Sequence, residues 1–135
     1  MGSRRVGRQC ALQLLYQHDV SLGKATHVTD AFWAEQKASA EAKTFAEELL
    51  VGVQKNCSEL DAVIEKYSAN WKLSRIASVD KNVLRLAIYE LLYREDIPKK
   101  VTLNEAVEIA KRFGTEESGA FVNGILDNIA KNMQS

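Results

Sequence analysis

Three arginines, Arg4, Arg5 and Arg8, open the chain in "SRRVGRQCALQLLYQHD", and no acidic residue precedes Asp19. A guanidinium is a planar fork of donors that meets a phosphate through two parallel hydrogen bonds, so this cluster suits an anionic backbone. The same residues suit a solvated helix end or a protein or membrane contact. A membrane anchor would want Trp, Phe or Leu beside the arginines, and the sequence does not place them there.

Other chemistry finds little support. There is no Gly-rich phosphate loop, no HExxH and no GxSxG. His18 and His27 lack a triad neighbourhood and read as a core-edge and a loop histidine. The pairs Glu47/Glu48 and Glu116/Glu117 are sequence neighbours, so on a helix they point to different parts of its surface. Cys10 and Cys57 are isolated, without CxxC spacing or paired histidines, and read as structural thiols rather than zinc ligands or a disulfide. No enzyme, no metal and no cofactor is expected.

The net charge is zero, but it is patterned. Residues 1–18 carry +3, residues 30–66 carry −4 (eight acids, four bases), residues 72–100 carry +3 (seven bases, four acids) and residues 101–135 carry −2. If the two basic segments meet in space, they form a positive patch on a neutral body. With 135 residues, 46% of them hydrophobic, the chain is long enough for one domain and too short for two. No apolar run is long enough to span a membrane and no secretory signal is visible, so a cytoplasmic protein is expected.

The elements that must position these residues are helical throughout, because apolar residues recur with a 3.6-residue period and no stretch alternates as a strand does. The expected fold is all-α, a bundle of about seven helices over residues 1–135. The break near residues 72–79 marks two packed three-helix sub-bundles, about 1–72 and 73–135. A first helix runs from about Ser3 to Val20 and ends near Gly23. On it, Arg4 and Arg8 continue into Ala11 and Leu15, while Arg5 and Gln9 continue into Leu12 and Tyr16. Both stripes turn from polar to apolar near residue 10, so the packing partner should stop there and leave the arginines overhanging.

A second helix can be capped by Thr29, a third covers about Glu41 to Lys55, and a fourth starts at Ser58. The fifth, "DKNVLRLAIYELLYRE", is apolar around most of its circumference and should run through the middle of the molecule. Its polar stripe is Asn82, Arg85, Tyr89 and Tyr93. Beyond Pro98, "TLNE" reads as a capping box of Thr102 and Glu105, and Gly114 as a left-handed helix end. The last helix opens at Thr115, and its Gly124 suggests a close helix approach.

Taken together, "GRQCALQLLYQ", "VDKNVLRLAIYELLYREDIPKKVTLNEAVEIAKRFGTEESGAFVNGILD" and the chain length resemble the NusB family of transcription antitermination factors. The second-half match is long and specific. The resemblance implies two small helical bundles that bind the single-stranded boxA element of ribosomal RNA leader transcripts. Binding occurs together with NusE, a small-subunit ribosomal protein, and helps elongating RNA polymerase resist termination.

The same fold also fronts an rRNA cytosine methyltransferase, but a chain ending at Ser135 leaves no room for a cofactor domain, which favours the stand-alone factor. A module binding mainly NusE is the other alternative. For RNA contacts the resemblance implies Arg4, Arg5, Arg8, Tyr67, Arg85 and the stretch from Glu117 to Phe121. Ala120 stands where relatives often carry a basic residue. For the partner surface it implies Tyr16 and Asp80. Tyr67 and Phe121 can stack on unpaired bases, and Arg85 lies on the only polar stripe of its helix.

Overall fold

The fifth helix of the chain organises the rest. Val83, Leu84, Leu86, Ala87, Ile88 and Leu91 are all buried along Ser78–Tyr93, as expected of a helix that is apolar nearly all round. The computed structural model describes residues 2–20, 28–69 and 71–133. Within them the helices are α1 Ser3–Val20, α2 Val28–Glu35, α3 Ala40–Lys55, α4 Cys57–Tyr67, α5 Ser78–Tyr93, α6 Lys99–Phe113 and α7 Ser118–Asn132. A 3-10 turn, Leu73–Arg75, joins α4 to α5. The expected end of the first helix at Gly23 and the loop histidine His27 lie outside the described residues.

The fold is all-α, and its helices pack as two groups, α1 with α3 and α6 with α7, between which α5 touches α1, α3, α4, α6 and α7. One core runs through both groups, from Leu12, Phe45 and Leu49 through Leu84 and Ile88 to Ile109 and Leu126. The closest approaches are made by glycines. A Cβ on Gly7 of α1 would lie 2.9 Å from the Ala42 carbonyl oxygen and from the Phe45 ring of α3, and one on Gly52 would collide with the Tyr89 ring of α5. Gly124 makes no such approach, since nothing lies within 4 Å of its Cβ position, and it faces outward from α7.

Several expected helix ends fall elsewhere. Ser39 caps α3, its hydroxyl accepting from the Ala42 amide at 3.1 Å. Thr29 and Ser58 sit one residue inside α2 and α4 rather than capping them. The capping box at Thr102 is absent: α6 starts at Lys99, directly after Pro98, whose fixed φ suits a helix entry. Thr102 is therefore interior, and its hydroxyl donates to the buried Glu90 carboxylate at 2.8 Å. Gly114 has φ −101°, extended rather than left-handed, and α7 opens at Ser118, whose hydroxyl accepts from the Thr115 amide at 2.9 Å. The left-handed position is Ala69, with φ 56°, just past the end of α4.

Candidate nucleic-acid interface

The first turns of α1 do not overhang. Gly7 lets them press against α3, so Gly7 and Arg8 are buried and the packing partner continues past residue 10 toward the N-terminus. Arg8, with a side chain 5% exposed, donates to both oxygens of Glu90 at 2.8 and 3.0 Å, and its third nitrogen lies 3.5 Å from Glu105. Glu90 accepts from Thr102 as well, so each buried charge has its hydrogen bonds made. Arg8 is thus an internal strut between α1, α5 and α6, buried and paired rather than overhanging as expected.

Arg5 forms a two-pronged pair with Glu105 at 2.6 and 3.1 Å, and this pairing holds the Glu105 carboxyl below its ordinary range. Arg4 donates to Asp96 at 3.0 Å, and Arg94 grips the same carboxylate at 3.0 and 3.1 Å. Those two guanidiniums, Arg94's foremost, hold Asp96 far below the usual carboxylate range. The guanidiniums of Arg4, Arg8 and Arg94 all lie over the Phe45 ring, 5.2 to 5.3 Å from its centre. The two basic segments therefore do meet, at α1 and the end of α5, but through carboxylates rather than as an open positive patch. Arg4 and Arg5 remain about half exposed, at 51% and 48%; the Arg4–Asp96 pair is a surface pair of the kind that exchanges readily, whereas Glu105 is largely buried.

The polar stripe of α5 faces α3 and α4, with Tyr93 at its end 46% exposed. Arg85 donates to both oxygens of Asp61 at 2.7 and 2.9 Å and to Asn82 at 3.0 Å, Tyr89 packs on Gly52, and Tyr93 hydrogen-bonds Glu59. Arg85 is thereby committed to α4, the helix whose last residue is Tyr67. Tyr67 itself is half-buried against the core, with the Lys66 ammonium 5.4 Å from the centre of its ring.

Near the other end of α5 is an open cleft of about 340 Å³ lined by Trp71, Arg75, Ile76, Ala77, Asp80, Glu117 and Phe121. The structure thus brings Asp80, Glu117 and Phe121 together. It adds Trp71 and Arg75, which the sequence reading passed over because a 3-10 turn has no periodicity to mark it. Tyr16, 40% exposed, lines a different cleft with Leu12, Gln13, Phe32, Val79 and Phe113. Val79 and Asp80 are consecutive, so the two clefts adjoin across the first turn of α5. Asp80 and Glu90 are ten positions apart on α5, roughly 15 Å at the helical rise, and the arginine cluster and the aromatic cleft stand that far apart along it.

Among the described residues no cluster of His, Cys, Asp or Glu could hold a metal ion, and no helix is long and apolar enough to cross a membrane. Cys10 is buried and Cys57 half-buried, both as thiols.

A helical bundle with paired arginines at one end and an open aromatic cleft at the other has the character of a macromolecule-binding factor. Sequence and structure comparisons specify which. The model of the NusB family matches residues 5–131, and the chain belongs to that family. It is 48% identical over 133 residues to the transcription antitermination protein NusB of Sorangium cellulosum, covering 98% of this chain and 95% of that one. T. maritima NusB superposes with a TM-score of 0.84 at 43% identity, over 97% of this chain and 92% of that chain. A crystal structure of antitermination factors NusB and NusE in complex with dsRNA matches with a TM-score of 0.80 at 26% identity, over 98% of each chain. The NusB family is one of RNA-binding factors of transcription antitermination, and this chain is a member.

Proposed function

We propose that the protein binds the single-stranded boxA element of nascent ribosomal RNA leader transcripts together with NusE, in the cytoplasm, and keeps elongating RNA polymerase processive. The observation that carries this reading is the full-length likeness to a NusB solved with NusE and dsRNA. Arg4 meets phosphate by exchanging the half-exposed Asp96 for the RNA backbone, a swap that costs little, and Arg5, itself half-exposed, does so against the more buried Glu105, which Arg8 still faces at 3.5 Å. Arg8 holds α1 in place rather than touching RNA. Tyr67 and Phe121 stack on unpaired bases, Glu117 accepts from a base edge, and Arg85 fixes the helix that carries Tyr67. Tyr16 and Asp80, on adjoining clefts, meet NusE.

Because each of these arginines already has a carboxylate, RNA affinity should be low for the isolated protein and rise when NusE joins. Fluorescence anisotropy with boxA RNA, a scrambled strand and a duplex, each with and without NusE, tests this. Preference for boxA in the presence of NusE is expected, and equal affinity for all three RNAs would remove the proposal. The saturated arginine pairs also favour a second reading, a module that binds mainly NusE. That reading expects tight NusE binding that neither RNA nor substitution of Arg4 and Arg5 alters.

A further inference from the structure

Arg75 is the exception among the arginines near the candidate interface. Arg4, Arg5, Arg8, Arg85 and Arg94 each have a carboxylate partner, whereas Arg75 takes part in no ion pair among the described residues and is exposed. It lies beside the most exposed aromatic ring, that of Trp71, at 52%. Leaving so exposed a tryptophan in water is unfavourable unless something covers it. The ring is also held ready. The Trp71 amide donates to the Ser68 carbonyl at 3.1 Å, and its carbonyl accepts from the buried Ser68 hydroxyl at 2.8 Å, so the backbone that carries the indole is pinned from both sides.

Trp71 and Phe121 meet at 79° with ring centres 6.1 Å apart, which makes an open corner rather than a closed stack. A flat group can lie on one ring with its edge toward the other, above Ile76 at the floor. Glu117 borders the same cleft; one of its carboxylate oxygens accepts from the Thr115 hydroxyl at 3.2 Å and the residue is otherwise exposed. An aromatic face, a hydrogen-bond acceptor and an unpaired guanidinium around one cleft match the three parts of a nucleotide: base plane, exocyclic amine and phosphate.

We propose that this cleft is a nucleobase slot in which one unstacked, amino-bearing base lies on Trp71, donates to Glu117 and has its phosphate met by Arg75. The proposal rests on the RNA-binding reading above and assigns Trp71 and Arg75 to it as new contacts.

The test is a scan of the boxA strand with one abasic site at a time, using the full chain with NusE present. In the wild-type protein one abasic position should weaken binding about tenfold, as loss of a stacked base does. Trp71→Ala should weaken binding of the intact strand by a similar factor and make that one abasic position silent, because the two changes remove the same contact. Trp71→Phe, which keeps an aromatic face, should retain most of the affinity, and Arg75→Gln should flatten the salt dependence by about 0.7 log units per log unit of salt. If the wild-type chain binds the RNA but no abasic position falls silent in Trp71→Ala, the slot is overturned and the RNA-binding reading stands. If the wild-type chain with NusE binds no RNA, both fall.

Discussion

Arg8 shows how the environment of one side chain decides its role. At the surface its guanidinium would be available to a phosphate, but packed under α3 it stands between Glu90 and Glu105. Arg8→Ala leaves Glu90 buried without its partner and should cost about 3–5 kcal/mol, read from urea unfolding, whereas Arg8→Met combined with Glu90→Leu should recover most of the loss. RNA binding separates the arginines differently. Replacing Arg4 and Arg5 by Gln should flatten the salt dependence by about 1.4 log units per log unit, from a single-strand slope of roughly 0.7 per contact. Adding an Arg8 substitution to a protein that still folds should flatten it no further; a slope change nearer to that of three contacts would restore Arg8 as a phosphate ligand. Acid should act through Glu105. Its carboxyl is held below its ordinary value of 4.5 by Arg5, so it contributes stability that is fully present above that pH and is lost as pH falls through the depressed folded value. The unfolding midpoint should therefore drop on acidification below about pH 4.5, and Glu105→Gln should remove part of that drop.

At the scale of elements, two glycines of similar appearance in sequence behave in opposite ways. A Cβ at Gly52 would run into the Tyr89 ring where α3 crosses α5, so Gly52→Ala should destabilise by about 1–3 kcal/mol through overpacking. Gly124 has open space around it on the outer face of α7, so Gly124→Ala should stabilise by about 0.4–1 kcal/mol by restricting the unfolded chain. Thermal unfolding of the two variants checks both signs at once. The helices themselves were legible because the apolar period belongs to each segment alone. What faces each helix was not legible in the same way. The polar stripe of α5 is plain in the sequence but its partner is not, since Arg85 is bound to Asp61, 24 residues away, and the apparent capping box at Thr102 yields to Glu90, a buried acceptor on another helix. Arg8 and Glu90 lie 82 residues apart, and no local spacing reports such a pair. Of the candidate site, the family resemblance supplied Phe121 and Glu117. Trp71 and Arg75 became visible only once the turn at Leu73–Arg75 placed them on the same cleft.

For the molecule as a whole, the charge pattern of the sequence is only partly displayed, because Arg4, Arg5 and Arg8 of the first basic segment and Lys81, Arg85 and Arg94 of the second are joined to carboxylates, while Arg75 stays exposed. The ties that achieve this also cross the boundary between the helix groups. Arg5 reaches Glu105 and Arg8 reaches Glu90, linking α1 to α6 and α5 at one end, while Lys81 and Arg85 of α5 hold Asp19 and Asp61 nearer the other. Between these ties lies a continuous apolar core in which Leu84 and Ile88 of α5 are fully buried. A boundary near residue 72 in sequence is therefore not a boundary in energy, since parting the two groups would expose α5 on the side that meets α1 and α3. A single cooperative transition follows. Far-UV circular dichroism, which senses all the helices, and tryptophan fluorescence, which senses Trp33 in the first group and Trp71 at the junction, should trace the same denaturation curve with one midpoint. Two separated midpoints would mean that the halves hold themselves together independently, and that the arginine–carboxylate ties across them add little to the fold.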